Sequence, residues 1–227
     1  MDRPAILKDL PPKELANEVF AAAIGMSIGL PIPPPYIAFA SSDRLSASKG
    51  PEIDGGRLLF ASVDVQQPPI AMLYSGGLGP AVFRRLAQWQ GVGKLYGFDS
   101  LTANIDRHPG NLLFGGGGQV WLIDHGRCFT GPSWSPRDLE RPDASVANRL
   151  REWLTPVLDD SLKSAAAGEA AGVGTLLRDT DFSMLASANH VSELLDAGDF
   201  LAVVDYLGGR REHTSRLASE ALEMLGF

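Results

Sequence analysis

The chain has 227 residues, 44% of them hydrophobic and 21% charged, with a formal net charge of −7. This is ordinary globular material, long enough for one large or two small domains with a sizeable core. The acidic balance argues against a broad nucleic-acid-binding face, and the lone cysteine, Cys128, rules out an intramolecular disulfide and suits a reducing compartment.

The opening MDRPAILKDL has neither the basic and apolar regions of a secretory leader nor an apolar span of the roughly 18 residues a membrane helix needs. A cytoplasmic protein without a membrane partner is therefore expected. Ala5-Ile6-Leu7 reads as a short strand with Lys8 at its end. Pro11-Pro12 then opens a helix, and the spacing of Leu15, Val19, Ala22 or Ala23, and Met26 predicts an amphipathic helix from Lys13 to a glycine cap at Gly29. Leu30 to Ala40 is Pro-punctuated and then strand-like, and Ser41 to Gly56 is a loop with the composition of a mobile one. Arg57 to Val65 is a buried strand. Gln66 to Gly79 reads as a linker, and its Ser75-Gly76-Gly77-Leu78-Gly79 lacks both the lysine spacing and the strand–helix context of a phosphate-binding loop. Two short helices follow, Ala81 to Gln90 and Gly93 to Thr102.

The most informative stretch is GFDSLTANIDRHPGNLLFGGGGQVWLIDHGRCF, from Gly97 to Phe129. Leu112 to Phe114 and Val120 to Ile123 are apolar runs joined by Gly115 to Gly118, which predicts a hairpin. Asn111 stands at its entry and Asp124 at its exit, so an amide oxygen and a carboxylate meet at one end. Mg²⁺ favours such a set, with the remaining oxygens supplied by phosphates and water. Asp106, one loop earlier, is left to orient or deprotonate a hydroxyl, and the Asp106-to-Asn111 interval is that of the kinase catalytic loop.

Beyond Gly126, Arg127 to Leu139 is loop, with hydroxyls at Thr130, Ser133 and Ser135. Helical patterns then cover Val146 to Leu158, Phe182 to Leu195, Phe200 to Leu207 and Arg210 to Leu225, with Gly172 to Gly174 and Gly208-Gly209 read as separators. His108, His125 and Cys128 lack zinc-site spacing, and His190 and His213 read as helix-surface residues.

Asp106-Arg107-His108-x-x-Asn111 followed by Leu122-Ile123-Asp124-His125-Gly126 resembles the catalytic and metal loops of HipA-like kinases, and is similar to the D-R-H-x-x-N and I-D-F-G pattern of phosphatidylinositol kinases. His125 stands where kinases often carry Phe or Leu. The resemblance implies an α+β, protein-kinase-like bilobal fold: a reduced small lobe over residues 1–65, a hinge over 66–80 and a helical large lobe over 81–227. It also implies ATP and Mg²⁺, with transfer of the γ-phosphate to Ser or Thr of a protein, in a family that often acts as toxins. Lys8 would hold the α/β-phosphates and Glu18 would brace it, since HipA-like proteins show a similar N-E pair; Glu14 is the fallback. Asn111 and Asp124 would ligate metal, Asp106 would act as base, and Arg107 and His108 would support the loop or the transferring phosphate. Ala61 to Val63 is the expected hinge that meets adenine.

In the sequence as given, seven residues precede Lys8, so the hairpin and Gly-rich loop that cover the phosphates in kinases are expected to be absent. Three readings follow: a minimal HipA-like kinase, a pseudokinase or interaction module, and a small-molecule or lipid kinase. A partner or a second copy that completes the small-lobe sheet is a variant of the first two, because an open sheet edge invites pairing.

Overall fold

The structure is a computed structural model and describes residues 3–73 and 79–224. Pro11 and Pro12 lead into the first helix, α1, over Pro12–Ser27; a first turn has no need of the N–H that proline lacks. The helix is not the one-sided amphipathic element that its spacing suggests. Every residue from Leu15 to Gly25 is buried, Asn17 and Glu18 included. Gly29, at φ +76°, closes the end of α1, and the Leu30 N–H returns to the Gly25 carbonyl at 2.9 Å.

Around α1 lie four strands: β1 (Ala5–Lys8), β2 (Pro35–Ser41), β3 (Glu52–Ile53) and β4 (Gly56–Val63). They are antiparallel in the order β1–β4–β2, with β3 pairing the start of β4. The register sets Lys8 and Ile37 beside Phe60, and Ile6 beside Ser62. Cross-strand neighbours share a face, so Lys8, Ile6, Phe60 and Ser62 point the same way and Ala61 points the other. The loop before β4, expected to be mobile, is tied down. The Asp9 carboxylate accepts from the N–H groups of Ser48, Lys49 and Gly50 at 2.7–3.1 Å.

The expected linker carries a short helix, α2 (Ile70–Leu73), and Pro69 bridges to Leu113. Ser75 to Leu78 lie outside the described residues. Helices α3 (Gly79–Ala87) and α4 (Val92–Leu101) lead to the hairpin of β5 (Leu112–Phe114) and β6 (Val120–Leu122), with Leu112 opposite Leu122. Gly117 and Gly118, at φ +74° and +82°, make the turn.

The C-terminal helices depart from expectation. The helix expected over Val146 to Leu158 shrinks to α5 (Leu150–Trp153) and a turn of 3-10 helix at Thr155–Val157. A helix absent from the sequence reading, α6, spans Asp160–Leu176 straight through Gly168, Gly172 and Gly174. The Phe182 segment breaks into α7 (Phe182–Ala188) and α8 (Val191–Leu194) at His190, which sits at φ +60° instead of on a helix surface. The last helix, α9 (Ala197–Ala221), continues through Gly208 and Gly209. The fold is thus α+β, with two small antiparallel sheets and one continuous apolar core from Leu15 to Leu222. Among the described residues no helix is long and apolar enough to cross a membrane.

Candidate functional site

Glu18 is the innermost charge at the small sheet. It is 1% exposed, and a carboxylate so buried requires partners. It has two: Lys8 Nζ donates to Oε1 at 2.6 Å, and the His125 N–H donates to Oε2 at 2.8 Å. Lys8 also donates to Asp124 Oδ1 at 3.1 Å. Burial opposes the Lys8 charge, but Glu18 and Asp124 outweigh it and raise the pKa above the ordinary lysine value. Burial likewise works against the Asp124 carboxylate, yet Lys8 holds its pKa below the usual range. For Glu18 burial prevails and the pKa rises, with Lys8 pulling it back in part. Glu14 is near Gly126, not Lys8: a Cβ on that glycine would lie 2.9 Å from its side chain.

Asp124 is held at φ +61°, a left-handed conformation that Asp tolerates better than most residues. Ala103, Phe129 and Thr130 share that region, so four non-glycine residues around one loop pair carry backbone strain. The turn aims the Asp124 side chain outward, 49% exposed, while His125 turns inward to 1% exposure. The His125 ring packs edge-on against Phe98 at 5.6 Å, and Nδ1 takes a hydrogen bond from Arg107 Nη2 at 3.2 Å. Arginine only donates, so the ring proton sits on Nε2, which has no hydrogen-bond partner among the described residues. Burial, and then the Arg107 charge, hold the His125 pKa well below its ordinary value, so the ring is neutral.

Arg107 is completely buried, which removes it from any direct contact with a phosphate. Its guanidinium grips Asp99 through Nε at 3.0 Å and Nη2 at 3.1 Å, and Nη1 donates to the Asn111 and Ile123 carbonyls at 3.3 and 2.8 Å. It therefore pins both ends of the hairpin to α4. Ile123 N–H also meets the Asn111 carbonyl at 3.1 Å, so the hairpin does bring its two ends together. Asn111 Nδ2 donates to the Asp106 carbonyl at 2.8 Å, which leaves Oδ1 as the acceptor end. His108 supports the loop through one ring nitrogen: its Nδ1 accepts from Gly110 N–H at 2.9 Å and caps the following turn.

Asp106 is partly exposed and is held by two arginines that sequence reasoning missed. Arg149 Nη1 donates to Oδ1 at 2.6 Å, and Arg127 Nε lies 3.4 Å from Oδ2. No local pattern announces Arg149, 43 residues away. Asn17 was also missed. Its Nδ2 donates to the carbonyls of Gly126, Cys128 and Gly131 at 2.9, 3.2 and 3.0 Å, and Trp134 Nε1 donates to its Oδ1 at 2.9 Å. A polar residue inside an apolar helical stripe, beside Glu18, was the available signal.

Lys8, Glu18 and Asp124 close the polar end of a cleft of about 310 Å³. Ile6 and Phe60 form one apolar wall and Leu113 and Leu122 the other, within the size range of small-molecule sites. Of the expected hinge, Val63 lines the cleft and Ala61 does not: it is mid-strand, paired to Leu7 and Tyr36, on the far face. The N–H groups of Val63 and Asp64 already bond to the Pro34 and Pro4 carbonyls at 3.3 and 2.9 Å, which moves the available backbone to Val65. Asp106, Arg107, His108 and Asn111 stand outside the cleft lining. Among the described residues no group of three or more His, Cys, Asp or Glu could hold a metal alone. Asp124 and Asn111 offer two hard oxygens, a set that suits Mg²⁺ only together with phosphates and water. A second hollow of about 280 Å³, lined by Ser145, Asn148 and Arg210, lacks such convergence, because Arg210 donates to the Ser100, Pro142 and Ala144 carbonyls.

No protein-family model matches the chain. Over 95 residues it is 33% identical to Protein Rv2133c of Mycobacterium tuberculosis, across 40% of this chain and 29% of that protein.

Proposed function

We propose that the chain is a HipA-like protein kinase, with β1 to β4 and α1 as a small lobe over a helical large lobe, and that it transfers the γ-phosphoryl of ATP to a protein hydroxyl. The observation that carries this reading is the Lys8–Glu18 pair set against Asp124 at the polar end of an apolar cleft. Adenine would lie between Phe60 and Leu113, with its edge toward Val65. The Lys8–Glu18 contact is short and partly buried, whereas Lys8–Asp124 is longer and exposed. An incoming phosphate would therefore displace Asp124 from Lys8 and leave Glu18 holding the ammonium. Asp124, so released, and Asn111 Oδ1 would hold Mg²⁺, which when bound neutralises charge on the β- and γ-phosphates. Asp106 would orient the acceptor hydroxyl and take its proton. Arg107 would act only by fixing the loop. The outer edge of β1, with Ile6 and Leu7 half-exposed, is where a partner strand would add.

Calorimetric titration with Mg-ATP tests the reading. Wild type should bind with a dissociation constant in the micromolar to millimolar range, and both Lys8→Met and Asp124→Asn should weaken binding by about tenfold or more. Wild type that takes up no Mg-ATP while still folded would refute it.

A further inference from the structure

Asp106 is gripped from two directions by segments distant in sequence. Arg149 precedes α5 and Arg127 follows β6, yet both guanidiniums converge on one carboxylate, at 2.6 and 3.4 Å. They remain accessible, 38% and 55% exposed, around an Asp106 that is 27% exposed. Among the described residues Arg127 makes no other ion pair, and the only other acidic partner of Arg149 is Glu152, at 3.5 Å and itself largely exposed. The other charges at the site are paired among themselves: Lys8 with Glu18 and Asp124, and Arg107 with Asp99.

This arrangement bears on the role given to Asp106 above. Only the Arg149 contact is a hydrogen bond; Oδ2 has the longer Arg127 ion pair and lone pairs left for a substrate hydroxyl, whose arrival weakens the hold on both guanidiniums. When it turns to the hydroxyl, Arg127 loses its one ion-pair partner among the described residues and Arg149 keeps only the exposed Glu152, at a spot where a macromolecular substrate would exclude water. A neutral acceptor leaves that charge uncompensated. An acceptor that brings its own anion replaces Asp106 on the guanidiniums as the hydroxyl arrives, and the planar forks of arginine suit carboxylate and phosphate groups.

We propose that Arg127 and Arg149 form a receptor for an anionic group beside the acceptor hydroxyl, so that the phosphorylated Ser or Thr lies in an acidic protein segment. The assignment rests on the kinase reading and makes Arg127 and Arg149 specificity-determining residues.

The test uses three short labelled peptides that differ only at the residues flanking a central serine, the acceptor: glutamate, glutamine or phosphoserine. Binding to the full chain is followed by fluorescence anisotropy without nucleotide. Wild type should bind the glutamate and phosphoserine peptides about tenfold more tightly than the glutamine peptide, the scale of a charge-assisted contact. Added salt should narrow the gap. Arg127→Met and Arg149→Met should each shrink it severalfold. Asp106→Asn should widen it, because the internal competitor for the guanidiniums is gone. Equal binding of glutamate and glutamine peptides by wild type would overturn the proposal without touching the nucleotide site. Competition by glycerol 3-phosphate at the peptides' own affinity would overturn the protein-segment assignment in favour of a small phosphorylated acceptor. Mg-ATP titrated into the same samples separates the two readings: no nucleotide binding with the acidic preference intact would sink the kinase reading and leave the anion receptor standing.

Discussion

Trp134 Nε1 donates to Asn17 Oδ1 at 2.9 Å, across 117 residues, and through that bond the loop after the hairpin is fastened to the helix that carries Glu18. The other end of the Asn17 amide holds three carbonyls of the same loop, at Gly126, Cys128 and Gly131. Lys13 adds a second tie, donating to the Trp134 carbonyl at 2.8 Å with its ammonium 4.4 Å from the indole centroid. Asn17 and Glu18 are successive residues of α1, so the placement of the loop and of the Lys8–Glu18 pair are one problem with one solution.

Asn17→Ala should therefore be among the most damaging small changes in the chain. It strands the Gly126 and Gly131 carbonyls and an indole N–H in a buried setting, while the Cys128 carbonyl keeps the Gly131 N–H, at a cost of about 3 kcal/mol. For a chain of this size that lowers Tm by roughly 6–12 °C. Thermal unfolding measures the loss, and near-UV circular dichroism should report Trp134 released from its fixed environment.

Arg107→Met removes one partner of a fully buried ion pair and leaves Asp99 without a cation. The expected destabilisation is about 3–5 kcal/mol, read by urea unfolding. Asp106→Asn, at a partly exposed site, should stay within about 0.5 kcal/mol of wild type. The contrast tests whether Arg107 is structural, as its burial dictates, while its sequence neighbour is free to do chemistry.

Glu18→Gln keeps the shape of the side chain and its acceptor for the His125 N–H, but removes the charge that holds Lys8. Mg-ATP affinity should drop about tenfold with the fold intact. Calorimetry alongside far-UV circular dichroism checks both halves of that statement, and unchanged affinity would show that Lys8 needs no brace.

Tyr96 supplies a pH dependence. Its hydroxyl pairs with Thr155 Oγ1 at 2.7 Å, and burial pushes its pKa well above the ordinary phenol value. The unfolded chain releases that proton near pH 10, whereas the folded chain keeps it. Unfolding is therefore favoured increasingly as the pH rises above about 10, and below that pH the group contributes no slope. Stability measured between pH 9 and 11 should fall, and Tyr96→Phe should flatten the fall.

The elements that surround Lys8 were legible because local chemistry writes them plainly. Pro11-Pro12 and Gly29 bracket α1, and four glycines between two apolar runs announce the β5–β6 hairpin. Helix α6 was not legible, because its glycines read as breaks. Close approach at that helix comes mainly from glycines of α4: a Cβ on Gly97 would come within 2.6 Å of Val173, and one on Gly93 within 2.5 Å of the Ala166 carbonyl, whereas of the α6 glycines only Gly174 lies against a neighbour, the Arg211 carbonyl at 2.9 Å. Gly209 in α9 likewise lies against Pro142, where a Cβ would sit 2.9 Å away. At the site, spacing located Asp106, Asn111 and Asp124 along the chain but could not say that Arg107 points inward or that Arg149 arrives from 43 residues downstream. Those facts depend on tertiary packing, which no local pattern encodes.

Phosphoryl transfer itself is the most direct test of the central claim. The purified full chain is incubated with Mg-ATP and an acidic serine peptide, and products are followed by intact mass for wild type, Asp106→Asn and Asp124→Asn. Wild type should add phosphate to the peptide. Asp106→Asn should bind Mg-ATP yet transfer at least about a hundredfold more slowly, the scale of a lost general base, and Asp124→Asn should lose both. Mg-ATP binding by wild type with no transfer to the peptide or to the chain itself, or transfer undiminished in Asp106→Asn, would contradict the account.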